Sequence, residues 1–228
     1  PSLDDSEKKK VKPIRAPPSQ QCRYISPNTR CLLYDMEDFF KQCIEVYLTH
    51  ANKGIESLKH VDTPFLDESL DHDVVTNINV SPVKGELADI CAKIIMKILY
   101  GARMARPDLL RACTALASHV SCWTVKDDRK LKRLMDYINS TLDLRLISWV
   151  GDSSDNWELN VYCDSDFASD PKTWKSTSGV CMKLESTVSC VTIANATNKQ
   201  TCVSLSSTEA EIVAAALAVY RFILPILD

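Results

Sequence analysis

Apolar residues recur at intervals of three and four along the first two thirds of the chain. This spacing predicts amphipathic helices over residues 34–51, 86–100 and 126–140, with a further helix that begins at Pro107. Proline suits the first helical turn, and Gly101 is expected to end the helix before it, because glycine is common just past helix C-termini. The pattern therefore predicts a largely helical segment up to about residue 140.

In the last third of the chain, apolar and polar residues alternate over short stretches, as is typical of β-strands. Gly151 to Asn156 form a turn-rich boundary, and a final helix is expected to begin at Ser206 and to close at Pro225. Alternating apolar positions predict strands over 142–150, 159–164, 179–184 and 188–193. Strands followed by a single covering helix predict an α+β fold with a mixed sheet.

The sequence divides into three predicted parts. Residues 1–21 are polar, charged and punctuated by proline, so we expect a disordered tail. Residues 22–150 are expected to form a helical unit, and residues 151–228 a smaller unit built on the sheet. The chain starts with Pro1 rather than methionine, so we interpret it as a piece of a longer protein or a processed product.

Composition narrows the classes of function. The net charge of -3 does not indicate a general nucleic-acid binder, so any contact with phosphate must be local. The ten cysteines include no CxxC pair, and there is no signal peptide, so we expect reduced thiols in an intracellular protein. The apolar run from Ile94 to Leu99 is far too short to span a bilayer, and no membrane anchor is expected.

Two carboxylates lie at the ends of predicted secondary-structure elements in the last third of the chain. Asp164 directly follows a strand, and Glu209 lies in the first turn of the final helix. Spacing alone leaves two interpretations of Glu209 open, because Ser206 and Glu209 also fit a capping box in which the glutamate needs no catalytic role. Glu211 is interpreted as a surface residue.

A cation and three hydroxyls follow the strand that carries Asp164. Lys175, Ser176, Thr177 and Ser178 suit contact with phosphate oxygens and are candidate nucleic-acid-binding residues. A solvated turn explains the same residues nearly as well, so both interpretations stay open.

Six strings occur in an order and spacing that resemble the Pol polyprotein of copia-type LTR retrotransposons. They are LYGARMARPDLLRACTALASH, LKRLMDYINSTLDL, VYCDSDFASD, KSTSG, NKQ and LSSTEAEIVAA, within roughly residues 61–228. In that family the end of reverse transcriptase leads through a helical connection into ribonuclease H. The resemblance implies a thumb or connection unit over 22–150 and a truncated ribonuclease H unit over 151–228.

The resemblance also implies a chemistry, namely hydrolysis of the RNA strand of RNA–DNA hybrids by two Mg²⁺ ions held by four acids. Asp164 in YCDSD matches the family's first-strand aspartate, and Glu209 in STEAE matches its helix glutamate. Both are therefore expected to be catalytic and to bind metal. Two Mg²⁺ ions about 4 Å apart can activate a water and stabilise the leaving oxygen when several carboxylates hold them.

The sequence departs from the family in two ways. The third and fourth acids, expected beyond the final helix, are missing, and so is the polymerase palm with its paired aspartates. We therefore expect weak Mg²⁺ binding, little or no activity of the chain alone, and a truncated sheet that needs the remainder of Pol or another protein to cover it. The rival hypothesis is a non-catalytic structural or interaction subunit derived from a transposon, and a passive nucleic-acid-binding remnant is the third.

Overall fold

Four amphipathic helices form the first part of the fold because each presents an apolar stripe to the same core. The structure, a computed structural model, describes residues 29–66, 83–170 and 173–227, so the predicted tail at 1–21 lies outside the described residues. The helices are α1 (Glu37–Ala51), α2 (Cys91–Ala105), α3 (Leu110–Ala117) and α4 (Val125–Ser140). Side chains from all four meet in one buried cluster that includes Phe40, Ile95, Cys113 and Leu134. A 3₁₀ turn at Pro107–Leu109 leads into α3 and confirms the helix start predicted at Pro107.

The helix α2 differs most from its prediction. It begins at Cys91 rather than at residue 86 and continues through Gly101, which the sequence pattern predicts as its end. A Cβ on Gly101 would lie 2.7 Å from Phe40 Cζ and 2.8 Å from Phe39 Cε1. The glycine therefore permits the close approach of α1 to α2, and its packing role outweighs the local preference to stop a helix.

The residues before α2 form turns because a carboxylate from α4 binds their backbone. Asp128 Oδ2 accepts a hydrogen bond from the Glu86 backbone N–H at 2.7 Å, and Asp128 Oδ1 accepts one from Leu87 at 3.3 Å. The same Oδ1 accepts a bond from Trp123 Nε1 at 2.7 Å. These contacts join the start of α2 to the start of α4 in place of the extra helical turn that the sequence predicts.

A buried arginine lies at the end of α2. Arg106 is 2% exposed, and its guanidinium donates to the Asp108 carboxylate at 2.7 Å and to the Thr141 carbonyl at 2.8 Å. The guanidinium carbon lies 5.7 Å from the centre of the Phe40 ring and 5.8 Å from that of Tyr137. Arg106 therefore joins the ends of α2 and α4, with its charge paired and its flat faces against aromatic rings.

One sheet of five strands forms the second part of the fold. The strands are β1 (Arg30–Tyr34), β2 (Leu146–Val150), β3 (Glu158–Asp166), β4 (Thr177–Glu185) and β5 (Cys190–Lys199). Their order across the sheet is β1-β2-β5-β4-β3. The predicted α+β class is confirmed.

The sheet is antiparallel in all its described pairings, which corrects the expectation of a mixed sheet. The physical reason is the shortness of the connections between β3, β4 and β5, since a parallel pair needs a crossover of a dozen or more residues. The strand β3 lies at one end of the sheet and pairs only with β4 among the described residues. Its outer edge is therefore open.

The sheet spans the boundary predicted near residue 150. β1 and β2 belong to the predicted helical unit, yet β2 pairs with β5 through Trp149 and Cys190. The two parts of the chain are thus joined by strand pairing, and their division at Val150 stays a prediction. None of the nine cysteines in the described ranges forms a disulfide.

The helix α5 (Ser207–Ala218) covers one face of β3 and β4. Its buried positions are all alanines, at Ala210, Ala214 and Ala218, so the helix backbone lies close to the sheet. The helix widens into a π-helical turn over Val219–Ile223 and continues as α6 (Leu224–Leu227), so Pro225 does not close it. Proline has no N–H to donate to the preceding turn, and a π-helical turn accommodates that loss without ending the helix.

We predict that replacing Arg106 destabilises the fold. Arg106→Met should lower the free energy of unfolding by about 2–4 kcal/mol, because it removes the guanidinium that pairs with the Asp108 carboxylate and donates to the Thr141 carbonyl. Arg106→Lys keeps the positive charge but loses the planar set of guanidinium donors. Its free energy of unfolding should therefore lie between those of wild type and Arg106→Met. Urea unfolding measures the difference, and a Met variant as stable as wild type would contradict the assigned role.

We also predict a pH-dependent contribution from Asp127 at the start of α4. Burial alone would raise the pKa of Asp127, but hydrogen bonds from His119 and from Thr124 outweigh it and lower the pKa from 3.8 to about 2. Since the folded-state pKa is the lower one, the stabilisation is complete above about pH 4 and is lost as the pH falls towards 2. At neutral pH, the ionised Asp127 should contribute about 2 kcal/mol to the free energy of unfolding.

The measurement is urea unfolding of Asp127→Asn at neutral and acid pH. The variant should be less stable than wild type by about 2 kcal/mol at pH 7 and nearly equal to it at about pH 2. Asp143→Asn, at an exposed position, is the matched control and should show no such convergence. A deficit in Asp127→Asn that stays constant down to about pH 2 would show that Asp127 acts by packing and not by its charge.

Candidate functional site

Asp164 lies near the C-terminal end of β3 and is exposed. It pairs across the sheet with Gly179 of β4, which pairs in turn with Thr197 of β5. Side chains alternate along a strand, so these three positions share one face of the sheet, which we call the groove face. Ser165 and Ser178 lie on the opposite face, where α5 packs, and we call it the helix face.

Glu209 lies in the first turn of α5, where it caps the helix. Its backbone N–H donates to Ser206 Oγ at 3.1 Å, and its Oε2 accepts a hydrogen bond from the Leu205 backbone N–H at 2.7 Å. These are the contacts of the capping interpretation that the sequence leaves open. No hydrogen bond or ion pair in the described ranges joins Glu209 to Asp164.

Glu211 is the α5 carboxylate that reaches β3. Its Oε1 accepts a hydrogen bond from the backbone N–H of Ser165 at 3.1 Å, directly after Asp164. The interpretation of Glu211 as a surface residue is therefore corrected, because the contact is partly buried and joins helix to strand. The sequence held a usable signal, since Glu211 lies three residues before the buried Ala214 and hence beside the sheet-facing stripe of the helix.

A buried amide fixes α5 relative to both strands. Gln200 Nε2 lies within hydrogen-bond distance of Ser178 Oγ at 3.0 Å, of the Ala210 carbonyl at 2.9 Å and of Ser165 Oγ at 3.3 Å. Gln200 Oε1 accepts a hydrogen bond from Ser204 Oγ at 3.3 Å. Sequence reasoning missed this role of Gln200, because a glutamine between a strand and a helix gives no local sign of burial.

The hydroxyls of the predicted phosphate-contact group face inward. Ser176, Thr177 and Ser178 are buried. Ser176 Oγ accepts a bond from the Ala168 backbone N–H, and Thr177 Oγ1 lies 3.1 Å from Ser169 Oγ. These three hydroxyls hold the loop and strands together. Of the four candidates, only Lys175 is partly exposed, and the role of all four in nucleic-acid binding stays a prediction.

Charges around Asp164 are partly paired. Arg111 of α3 donates to Asp166 Oδ2 at 3.2 Å and to Ser169 Oγ at 3.3 Å. By contrast, the Asp164 carboxylate makes no hydrogen bond or ion pair with any residue in the described ranges. An exposed carboxylate without a partner is available to a cation from solution.

The acids present could contribute to a divalent-metal site but do not complete one. Asp164 and Glu211 bring two carboxylates to the same end of β3. Within residues 29–66, 83–170 and 173–227, no group of three or more His, Cys, Asp or Glu side chains is arranged to hold a metal ion. Mg²⁺ bound by two carboxylates would keep most of its water ligands and would be held weakly.

Comparison with known proteins shows a distant relationship. The chain is similar to the uncharacterized mitochondrial protein AtMg00810 of Arabidopsis thaliana, with 30% identity over 168 residues. The aligned part covers 73% of this chain and spans 63% of the length of that protein. No protein-family model matches the chain, and no solved structure matches it. The similarity indicates a distant homologue and assigns no activity.

None of the described helices is both long enough and apolar enough to traverse a bilayer.

We predict that the two glutamates of α5 differ in their effect on stability. Glu209→Ala should cost about 1 kcal/mol, because it removes the acceptor for the Leu205 N–H at the start of the helix. Glu211→Gln keeps an oxygen that can accept from Ser165, so its effect should stay within about 0.5 kcal/mol. Thermal and urea unfolding of both variants test this, and a reversed order of the two costs would refute the assignment.

Proposed function

We propose that this chain derives from the Pol polyprotein of a copia-type LTR retrotransposon and contains the first part of a ribonuclease H unit. The proposed activity of the complete unit is metal-dependent hydrolysis of the RNA strand of RNA–DNA hybrids. The observation that carries the proposal is the position of Glu211, whose carboxylate lies at the backbone of Ser165 beside the exposed Asp164. The six ordered sequence strings support the same origin.

The residues that would hold Mg²⁺ are Asp164 and Glu211, rather than the pair Asp164 and Glu209. When bound, Mg²⁺ supplies an activated water and neutralises charge on the leaving oxygen. Asp164 offers an exposed carboxylate on a strand, where its backbone is held by pairing to Gly179. From α5, Glu211 reaches the backbone of Ser165, the residue that follows Asp164, and Gln200 fixes the helix that carries it. Glu209 is left with the capping role.

The proposed site requires ligands beyond these two residues. We expect the 228-residue chain alone to bind Mg²⁺ weakly and to be inactive or nearly so, because two carboxylates leave the metal ions poorly held. Further acids would come from the remainder of Pol or from another protein that covers the open edge of β3. The expected ligand is an RNA–DNA hybrid, and the proposed location is intracellular.

A second candidate function is a non-catalytic interaction subunit derived from a transposon. The helix α5 is apolar on nearly every side, a composition typical of a buried helix, yet much of it is exposed. The most exposed large apolar side chains near it are Leu205 at 91%, Tyr220 at 77% and Ile212 at 64%. Together with the open edge of β3, this surface is suited to a protein partner.

The metal site can be tested through the amide of Ser165. Mg²⁺ binding should draw the Glu211 carboxylate away from the Ser165 N–H and change the amide's NMR chemical shift in a saturable way. Asp164→Asn and Glu211→Gln should each weaken the apparent Mg²⁺ affinity by about tenfold or more, whereas Glu209→Ala, the matched control, should not. If the Ser165 amide does not respond to Mg²⁺, or responds equally in all four proteins, the metal-site proposal is wrong.

A cleavage assay separates an active enzyme from an interaction subunit. Incubated with a labelled RNA–DNA hybrid and Mg²⁺, the chain alone is expected to give cleavage close to background. Robust cleavage that Asp164→Asn abolishes would overturn the expected inactivity and establish the enzyme. A stable complex with a protein partner that is unaffected by Asp164→Asn and Glu211→Gln would favour the interaction subunit.

A further inference from the structure

The larger apolar side chains of α5 lie on the side of the helix that faces away from the sheet. The residues that the helix buries against the strands are Ala210, Ala214 and Ala218. At about 3.6 residues per turn, Ile212 and Val219 lie on the opposite side of the helix, and both are exposed. A surface helix normally has the reverse arrangement, with its large apolar side chains inside. The outward face of α5 therefore has the composition of a buried surface.

The apolar face continues beyond the end of α5. The backbone N–H of Leu224 donates to the carbonyl of Val219, and this bond across five residues brings Leu224 next to Val219 along the helix. Tyr220 and Ile226 are also more than half exposed, as is Leu205 just before α5. We call this surface the outer stripe, which consists of Leu205, Ile212, Val219, Tyr220, Leu224 and Ile226.

The outer stripe is electrically neutral. No charged residue occurs from Ile212 to Tyr220, and the nearby Glu211 is bound to the backbone of β3. The guanidinium of Arg221 lies 2.8 Å from the side-chain amide of Asn198 on β5. A surface that meets its own copy across a two-fold axis must avoid like charges at the axis, because they repel each other. The outer stripe meets this requirement, and it offers no charge to an acidic or a basic partner.

The exposed area is sufficient for a dimer. With the exposed fractions of its six members, the outer stripe offers on the order of 700 Å² of surface per copy. A pair of copies would bury about 1,400 Å², which lies within the range of about 1,200–2,000 Å² for specific protein interfaces. The apolar content of such an interface is typical of permanent dimers rather than of transient contacts.

The order of residues along the outer stripe suits an antiparallel pair of identical helices. Ile212 and Val219 lie equally far on either side of the point between Ala215 and Ala216. In an antiparallel pair centred there, Ile212 of each copy meets the partner's Val219, and the small alanines let the two helix backbones approach closely. This orientation also places the positive N-terminal end of each helix near the negative C-terminal end of the other.

We propose that α5 and α6 form a symmetric homodimer interface through the outer stripe, with the two-fold axis at Ala215 and Ala216. The second copy of the chain covers the side chains that one copy leaves exposed. Since α5 packs on the helix face of the sheet, the dimer leaves Asp164 on the groove face uncovered. This pairing does not depend on the proposed metal site, and it names a partner for the interaction subunit.

Analytical ultracentrifugation under reducing conditions tests the dimer. Reduction is required because Cys163 and Cys202 are exposed and can link copies through disulfides. At about 100 µM the wild-type chain should sediment with twice the mass of one copy, and it should dissociate on dilution. Ala216→Glu should weaken dimerisation by about a hundredfold or more, because the two-fold axis brings the two introduced carboxylates together.

A complementary pair of variants tests the position of the axis. Ala216→Lys should also be monomeric, whereas an equal mixture of the Ala216→Glu and Ala216→Lys chains should form a dimer, because opposite charges then meet. Mixing does not repair a misfolded variant, so recovery of the dimer excludes misfolding as the cause of its loss. Met96→Lys is the matched control on α2, where the methionine is 58% exposed, and it should dimerise as wild type does.

The outcomes for the dimer and for the proposed functions are distinguishable. A wild-type chain that stays monomeric at about 100 µM overturns the dimer, although a stable complex of that monomer with a different protein would still support the interaction subunit. A wild-type dimer that persists in Ala216→Glu overturns the proposal, and so does a mixture of the two charged variants that stays monomeric. Ala216→Glu should leave the Mg²⁺ response of Ser165 unchanged, so the metal site is tested independently.

Discussion

The close packing of α5 on β3 and β4 is the contact on which the candidate site depends. The buried face of this helix consists of alanines, so no large side chain separates its backbone from the sheet. At that distance the Gln200 amide can contact the Ala210 carbonyl and Ser178 together. The same closeness lets Glu211, and not Glu209, reach the backbone of β3. A larger side chain at Ala210 or Ala214 would move both acids of the helix.

The helical part of the chain is held by polar contacts at helix ends as much as by its apolar core. Arg106 joins the ends of α2 and α4, and Asp128 binds the turns before α2. Asp127 caps α4 and contacts His119. Each of these groups is paired within a largely buried setting, so each fixes an orientation that apolar packing alone would leave adjustable.

The strand β3 has both an open outer edge and an exposed position, Asp164, on the groove face. Its outer edge carries the Glu211 contact, and its groove face carries Asp164 opposite Gly179. A strand with an unpaired outer edge and an exposed face is unfavourable in a protein that acts alone, because its unpaired backbone groups promote association with other chains. The proposed metal site and the proposed protein partner would both make use of β3.

The sequence by itself determined the elements whose signal is local. The α+β class and the start of α3 at Pro107 follow from spacing within a few residues, and the cap made by Ser206 and Glu209 is one of the two interpretations that spacing leaves open. Tertiary structure decided the rest, since each missed feature depends on a distant partner. Gly101 stays helical because Phe39 and Phe40 lie against it, and the antiparallel sheet is completed by β1 and β2, which are far apart in the sequence. Glu211 contacts β3 because α5 packs closely, and spacing alone cannot show which of two nearby glutamates a strand will meet.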